Sequence, residues 1–319
     1  MRILIYGAGA VGQTVGCILA SDGHHVDLIL RERFIDGIRV HGLSVMGIFG
    51  DFHVNADTIG LFTSLSELLE QPYDYVLITT KSYDTLSAVT DLNNLHNQSF
   101  TVVSLQNGCG NFELLIEHFG AKRSLAGRVI TGFEIEHPGR VKITVTADDI
   151  HIGGYEEGIV SSQASTISEA VNHAGLPCVA TPTIMRDLYA KLLYNCALNP
   201  LGAVLGAHYG ALGDNPNARS IMNEIIREVF SVIKAMRTKT HWDCAEDYQK
   251  FFYEKQIPAT YNHRPSMLQD IEQGKRTEVD ALTGFVSEQG KKLGVPTPVC
   301  NTLSGIIHFM ELHHKKISH

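Results

Sequence analysis

Lys191, Asn195 and Asn199 interrupt an otherwise apolar stretch, KLLYNCALNPLGAVLGA. Spaced four apart, they drift by only about 40° per step on an α-helix, so one ammonium and two amides line a single stripe. A purely solvated helix face favours Glu, Lys, Arg and Gln, because asparagine is a mediocre helix former that competes for backbone hydrogen bonds. The helix alone leaves two readings open, a lined cleft or a wet face, with Leu192, Leu193, Cys196, Ala197 and Leu198 turned to a core in either case.

A second chemical signal stands at the other end of the chain. In RILIYGAGAVGQTVGCILASDGHHVDLIL, the run Gly7-Ala8-Gly9-Ala10-Val11-Gly12 fits GxGxxG, with an alternating apolar segment before it and helical spacing at Val11, Val15, Ile18 and Leu19 after it. Gly7 permits the turn, Gly9 lets backbone N–H groups approach a pyrophosphate, and Gly12 allows close helix–strand packing. These residues predict a dinucleotide site. The second strand ends in RER, where an NAD enzyme usually carries an acid for the ribose hydroxyls. Arg31 and Arg33 can instead embrace a 2′-phosphate, so NADP is expected, although Glu32 keeps NAD open.

Elements that must position these groups follow from the rest of the pattern. YVLITTKSYDT and TVVSLQNGCGN each run from a β-rich apolar segment into polar residues, which puts Lys81 and Asn107 at the carboxyl rim of a parallel sheet. RVITGFEIEHPGRVKITVTADDIHIGG reads as a hairpin, helical spacing resumes near Ser161, and GLPCVATPT reads as a last strand and a linker. A boundary near Pro182 is expected, giving domains 1–182 and 183–319. Beyond it, helical patterns cover 185–205, 218–239, 245–255, 267–273, 278–294 and 299–313. The stripe opens the helical half and is expected to face the cleft between the two domains.

Composition narrows the classes further. The chain has 319 residues, 44% apolar and 19% charged, which describes a soluble globular protein, and two domains are the default at this length. No apolar run reaches the roughly 18 residues of a membrane span. The first twenty residues read as a strand and glycine turn rather than a signal peptide, so a cytoplasmic location is expected. Six scattered cysteines without a CxxC pair point to reduced thiols, and no metal-binding pattern such as HExxH occurs. A formal charge of −8 argues against general nucleic-acid binding.

In HRPSMLQDIEQGKRTEVDALTGFVSEQG, Ser266 reads as a helix cap after Pro265, and Glu278 with Asp280 as acids opening a helix. Here GAGAVG, TTKSYDT, QNGCGN, KLLYNCALNPLGAVL and SMLQDIEQGKRTEVDALTG, in this order, resemble the ketopantoate reductase (2-dehydropantoate 2-reductase) family along nearly the full chain. The resemblance implies an α/β fold, a Rossmann-type dinucleotide-binding domain followed by an all-helical, 6-phosphogluconate dehydrogenase-like domain. It also implies NADPH-dependent reduction of a branched 2-keto acid, the step from 2-dehydropantoate to pantoate in pantothenate biosynthesis. Lys191 matches the family's catalytic lysine. Glu278 matches the glutamate that binds the substrate hydroxyl, supports catalysis and borders the cofactor. Asn195 and Asn199 match asparagines that position substrate, Ser266 the serine beside its carboxylate, and Asn107 and Lys81 residues around the nicotinamide and the rim of the site.

On that resemblance, Lys191 hydrogen-bonds the carbonyl oxygen as hydride reaches C2 and then supplies a proton, while the amides hold substrate without a competing charge. Two positions depart from the family pattern: His263, beside Asn262, stands where the family often has a substrate-contacting asparagine, and Tyr209 where an asparagine is sometimes found. The segment 240–264 is aromatic and charged enough to reshape a cleft mouth. Other readings are an NADP-dependent reductase of another 2-keto or 3-hydroxy acid, and a non-catalytic NADPH sensor. The stretch LSGIIHFMEL could seat a second copy as a homodimer, with core packing the preferred account.

Overall fold

The computed structural model describes residues 1–95 and 99–317, with side chains through His313. Two units emerge. The first comprises Met1–Asn107 and Asn111–Ile184, the second Gly108–Gly110 and the chain from Met185 onward.

In the first unit the strands are β1 (Arg2–Tyr6), β2 (His25–Ile29), β3 (Leu43–Gly47), β4 (Phe52–Val54), β5 (Gly60–Phe62), β6 (Tyr75–Ile78), β7 (Thr101–Ser104), β8 (Ser124–Arg128), β9 (Thr131–His137), β10 (Arg140–Thr146), β11 (Ile150–Gly153) and β12 (Cys178–Ala180). Its helices are α1 (Ala10–Ser21), α2 (Glu32–His41), α3 (Thr85–Leu92), α4 (Asn111–Phe119) and α5 (Ser162–His173). The main sheet has the order β12-β11-β8-β7-β6-β1-β2-β5, and the β5-to-β8 portion is wholly parallel. Strand order reverses at β1, which lies between β2 and β6, so the carboxyl ends of β1 and β6 form the switch point where ligands gather in such sheets.

Alternation along the strands explains why helices cover both faces. Ile3 and Ile5 of β1 join one core with Val15, Ile18, Ile167 and Val171 of α1 and α5, while Leu4 joins another with Val89, Leu92 and Leu115 of α3 and α4. The HPGR hairpin is present as the antiparallel pair β9–β10. It belongs to a separate four-stranded sheet, β4-β3-β10-β9, through a parallel β3–β10 pairing. Helix α2, which opens at Glu32 within the RER residues, lies outside the sequence expectation; its buried apolar residues are only Ile35 and Ile38, too sparse to stand out.

The second unit is helical: α6 (Ile184–Leu205), α7 (Tyr209–Asp214), α8 (Pro216–Ala235), α9 (Ala245–Phe251), α10 (Ile257–Ala259), α11 (Ser266–Glu272), α12 (Thr283–Leu293) and α13 (Pro298–Ile317). Asn215 caps α8 through Oδ1, which accepts from the N–H groups of Asn217 and Ala218 at 2.9 and 3.1 Å, with Pro216 in the first turn. A π-helical turn, Phe252–Gln256, joins α9 to α10. At the start of α13, the buried Glu228 carboxylate of α8 accepts from the N–H groups of Val299 and Cys300 at 2.8 and 2.9 Å.

Two sequence expectations are corrected here. Ser266 does not cap α11: Pro265 is the capping residue and Ser266 the first helical one, its hydroxyl turned elsewhere. Nor does Glu278 open a long helix. It precedes a 3₁₀ turn, Val279–Ala281, and α12 starts only at Thr283, because Leu282 at φ −112°, ψ −107° interrupts the helical path.

No helix among the described residues is long and apolar enough to cross a membrane. All six cysteines are free, five of them buried. Within LSGIIHFMEL, Leu303 and Ile307 are buried, whereas Phe309 and Leu312 are 65% and 64% exposed, so core packing accounts for only one side of α13.

Candidate active site

The residues singled out by sequence fall into two sets, one in each unit. In the first, the chain leaves β1 and turns at Gly7, whose φ of +95° suits glycine; a Cβ there would lie 2.2 Å from Thr80 Cγ2 and 2.8 Å from the Thr80 backbone nitrogen. At Gly12 an added Cβ would meet Thr79 Oγ1 at 2.4 Å and Ile5 Cγ2 at 3.0 Å. This glycine lets α1 lie directly on β1 and the end of β6. Gly9 differs from both. It caps α1 with no side-chain hydrogen bond, and an added Cβ would find its nearest neighbour, Gly7 O, 3.9 Å away.

The first turn of α1, Ala10 and Val11 included, carries no acidic residue. An uncapped helix N-terminus beside open space at a sheet switch point fits the pyrophosphate of a dinucleotide. Arg31 lies just past β2 as the residue before α2, and Arg31, Glu32 and Arg33 are exposed; the Arg33 guanidinium sits 4.8 Å from the Phe34 ring centroid.

Lys81 and Asn107 follow β6 and β7 in half-buried loops. Buried Gln106, which sequence reasoning passed over, holds these loops together. Its Nε2 donates to Thr80 Oγ1 at 3.0 Å and Thr85 Oγ1 at 2.8 Å, while Asn111 Nδ2 donates to Asn107 O at 2.9 Å. The signal for Gln106 was its place beside Asn107 at a strand end, where any amide is well placed to tie loops.

In the second unit, α6 delivers the stripe as the spacing requires. Lys191 and Asn195 are half-buried; Asn199 is 4% exposed. Asn199 Nδ2 donates to Asn195 Oδ1 at 3.3 Å, and Ser266 Oγ donates to Asn199 Oδ1 at 3.2 Å, so three of the candidates are joined across α6 and α11. Glu278 is 8% exposed at the 3₁₀ turn. Burial raises the phenol of Tyr209 well above the ordinary tyrosine range. The His263 ring packs on Tyr209 at 5.1 Å between centroids, and the Tyr209 N–H donates to His263 O at 3.1 Å. Tyr194, pushed up to about 12 by burial, donates to Thr260 Oγ1 at 2.8 Å and anchors α6 to the end of the aromatic segment.

The glycine turn at a doubly wound switch point and the polar stripe of a helical unit define a two-unit, nicotinamide-dinucleotide-dependent oxidoreductase class. Residues 3–157 match the family described as "Ketopantoate reductase PanE/ApbA", and residues 183–311 match "Ketopantoate reductase PanE/ApbA C terminal". The chain belongs to the ketopantoate reductase family. It is 36% identical to the 2-dehydropantoate 2-reductase of Aquifex aeolicus over 99% of each chain, and 33% identical to that of Pyrococcus horikoshii over 94% of each. Among solved structures, a PanE/ApbA family ketopantoate reductase from Ralstonia eutropha superposes with a TM-score of 0.86 at 28% identity, covering 99% of this chain and 100% of that one. A ternary structure of D-mandelate dehydrogenase with NADH and anilino(oxo)acetate matches with a TM-score of 0.86 at 25% identity and the same coverage.

Proposed function

We propose that the chain reduces 2-dehydropantoate to pantoate with NADPH, as a cytoplasmic enzyme of pantothenate biosynthesis. Residues 1–182 bind the cofactor and residues 183–319 carry the substrate and catalytic groups. The observation that carries the reading is the joined Asn195–Asn199–Ser266 network, which begins one helical turn beyond Lys191 on the same stripe. Full-length similarity to 2-dehydropantoate 2-reductases supports the choice of substrate.

Gly7, Ala8, Gly9, Ala10, Val11 and Gly12 receive the dinucleotide, with Lys81, Asn107 and Glu278 toward its nicotinamide end. Arg31 takes the 2′-phosphate that distinguishes NADPH from NADH. The reduced nicotinamide, when bound, supplies the hydride. As C2 of the keto acid gains that hydride, the carbonyl π pair moves onto oxygen; the Lys191 ammonium stabilises the charge and transfers its proton there, leaving a neutral amine to be reprotonated from solvent. Asn195 orients the acid without adding a second charge, and Glu278 supports the reacting groups.

An assay of NADPH and NADH oxidation by the purified protein over a panel of 2-keto acids tests the proposal. Ketopantoate is expected to turn over fastest, with NADPH preferred and Arg31→Ala weakening NADPH selectively. Failure of every keto acid would overturn the reductase reading, and an equal or better rate with NADH would overturn the role of Arg31. The match to D-mandelate dehydrogenase favours one second reading, reduction of a different 2-keto acid, which the panel resolves with an aryl 2-keto acid. A homodimer through the exposed Phe309 and Leu312 face of α13 completes the proposal; light scattering should give twice the chain mass, falling to one in Phe309→Ser.

A further inference from the structure

One helix grips the segment that carries Glu278 at three points. On α13, Ser304, His308 and Glu311 recur at intervals of four and three and so share one face. Each meets a different part of the stretch from Thr277 to Thr283. The hydroxyls of Ser304 and Thr283 share a hydrogen bond at 2.8 Å, His308 Nε2 lies 2.9 Å from Asp280 Oδ1, and Glu311 Oε1 accepts from the Thr277 backbone N–H at 2.7 Å.

These contacts differ in what replaces them. Asp280 and His308 are exposed, so water substitutes readily for either partner. The Ser304–Thr283 bond is buried, but it lies beyond Leu282, at the start of α12. Thr277 is 1% exposed and sits directly before Glu278, so its N–H has Glu311 as acceptor and no ready access to solvent. Thr277 also controls the other side of Glu278: its Oγ1 accepts from the Val279 N–H at 3.2 Å. Glu278 O accepts from the Ala281 N–H at 3.0 Å. Glu278, at φ −100° and ψ 26°, thus lies between two tied N–H groups, one held by Glu311 and the other by the residue that Glu311 holds.

We propose that Glu311 is a positioning residue for Glu278, fixing the backbone from which that side chain extends without itself touching substrate. The inference rests on the reduction proposed above, in which Glu278 supports the reacting groups. Removing the acceptor leaves a buried N–H unsatisfied, and the Thr277–Glu278 backbone must turn to satisfy it. That turn carries the Glu278 carboxylate with it, and a displacement of about 1 Å in an oriented group can cost on the order of 100-fold in rate. The role calls for reach and an acceptor oxygen. It does not call for charge, since the donor is a backbone N–H that a glutamine oxygen accepts equally.

Three substitutions separate this role from a purely structural one. Glu311→Ala should lower kcat for ketopantoate roughly 10- to 100-fold per folded molecule, with NADPH affinity within about twofold. Glu311→Gln, which keeps the reach and loses the charge, should stay within about threefold of wild-type kcat. Glu311→Asp keeps the charge and loses the reach; its kcat should fall at least about fivefold, and it carries the test if the alanine variant does not fold. Unchanged kcat per folded molecule in Glu311→Asp, with only the urea midpoint lowered, would overturn the proposal, as would glutamine being as damaging as aspartate. Added to Glu278→Ala, Glu311→Asp should cost nothing more, whereas a full additional loss would mean that Glu311 acts by another route.

Backbone amide exchange at Thr277, measured by NMR on the full chain, reads the contact without turnover. It should be slow in the wild-type protein and in Glu311→Gln, and about tenfold faster in Glu311→Asp, the scale of one lost hydrogen bond. Fast exchange in the wild-type protein would overturn the hold. If the wild-type protein turns over no keto acid, the proposed reduction fails, and the exchange pattern alone still upholds or overturns the grip of Glu311 on the Glu278 segment.

Discussion

Three alanine substitutions, at the glycine turn after β1 and in the first turns of α1, should separate cofactor binding from folding. At Gly9 the backbone is extended, φ −76° and ψ −157°, so alanine fits without strain, and its Cβ would lie 3.9 Å from its nearest neighbour. Stability should therefore hold or rise slightly, since Gly→Ala at a compatible position contributes about 0.4–1 kcal/mol by restricting the unfolded chain. On the proposed cofactor placement, the new methyl stands where the pyrophosphate would approach the uncapped start of α1. Losing one hydrogen bond to a charged group costs about 1.5–3 kcal/mol, so NADPH affinity should fall roughly 10- to 150-fold.

Gly12→Ala should behave in the opposite way. Its Cβ at 2.4 Å from Thr79 Oγ1 and 3.0 Å from Ile5 Cγ2 forces α1 away from the sheet, an overpacking cost of about 1–3 kcal/mol. Gly7→Ala adds a left-handed backbone, about 1–2 kcal/mol, to contacts of 2.8 and 2.9 Å with the Thr80 backbone. Titration calorimetry gives the affinities and urea unfolding the stabilities. Gly9→Ala binding NADPH within about twofold of wild type, with unchanged stability, would refute the placement of the anion at Gly9.

Other expectations follow from the second unit. If Lys191 is the proton donor proposed above, Lys191→Ala should lower kcat by about 100- to 10,000-fold while leaving NADPH affinity nearly unchanged, because such a donor acts in the transition state; steady-state kinetics with a cofactor titration checks this, and near-wild-type kcat would remove the proposed acid. Glu228→Ala strips the acceptor from two backbone N–H groups at the start of α13 and should destabilise the chain by about 2–4 kcal/mol. The urea midpoint measures that loss, and a shift equivalent to less than about 0.5 kcal/mol would show that water replaces the carboxylate.

The parts of the molecule visible in the sequence are those governed by local periodicity. The strand–glycine–helix start was legible because Gly7, Gly9 and Gly12 have separate steric tasks and both flanks carry clear periods. The α6 stripe was legible because a spacing of four survives any packing arrangement. What escaped depended on partners distant in sequence. Ser266 follows proline as a capping serine would, yet Asn199, 67 positions earlier, draws its hydroxyl away from the helix end. The acids Glu278 and Asp280 suit a helix start, but the backbone break at Leu282 delays the helix to Thr283.

Tyr209 illustrates the same limit from the other side. A tyrosine at the head of a short helix carries no local sign of burial, and only the Tyr194 and His263 rings around it explain why it stays inside. The four-stranded sheet was half readable. The β9–β10 hairpin is local, whereas its parallel partner β3 is contributed from almost a hundred residues upstream.

The three-residue loop Gly108–Gly110 makes the second unit discontinuous along the chain. Cys109 N donates to Ala281 O at 2.9 Å, and Gly108, at φ +81°, has no room for a Cβ, which would lie 2.5 Å from Ala281. The two units are therefore not interchangeable modules separable by a single crossover. A chimera that joins the first 184 residues of one relative to the remainder of another inherits a loop fitted to the wrong Ala281 turn. A viable recombinant has to carry residues 108–110 together with the helical unit, so drift in the β7–α4 loop is tied to drift in a turn some 170 positions away.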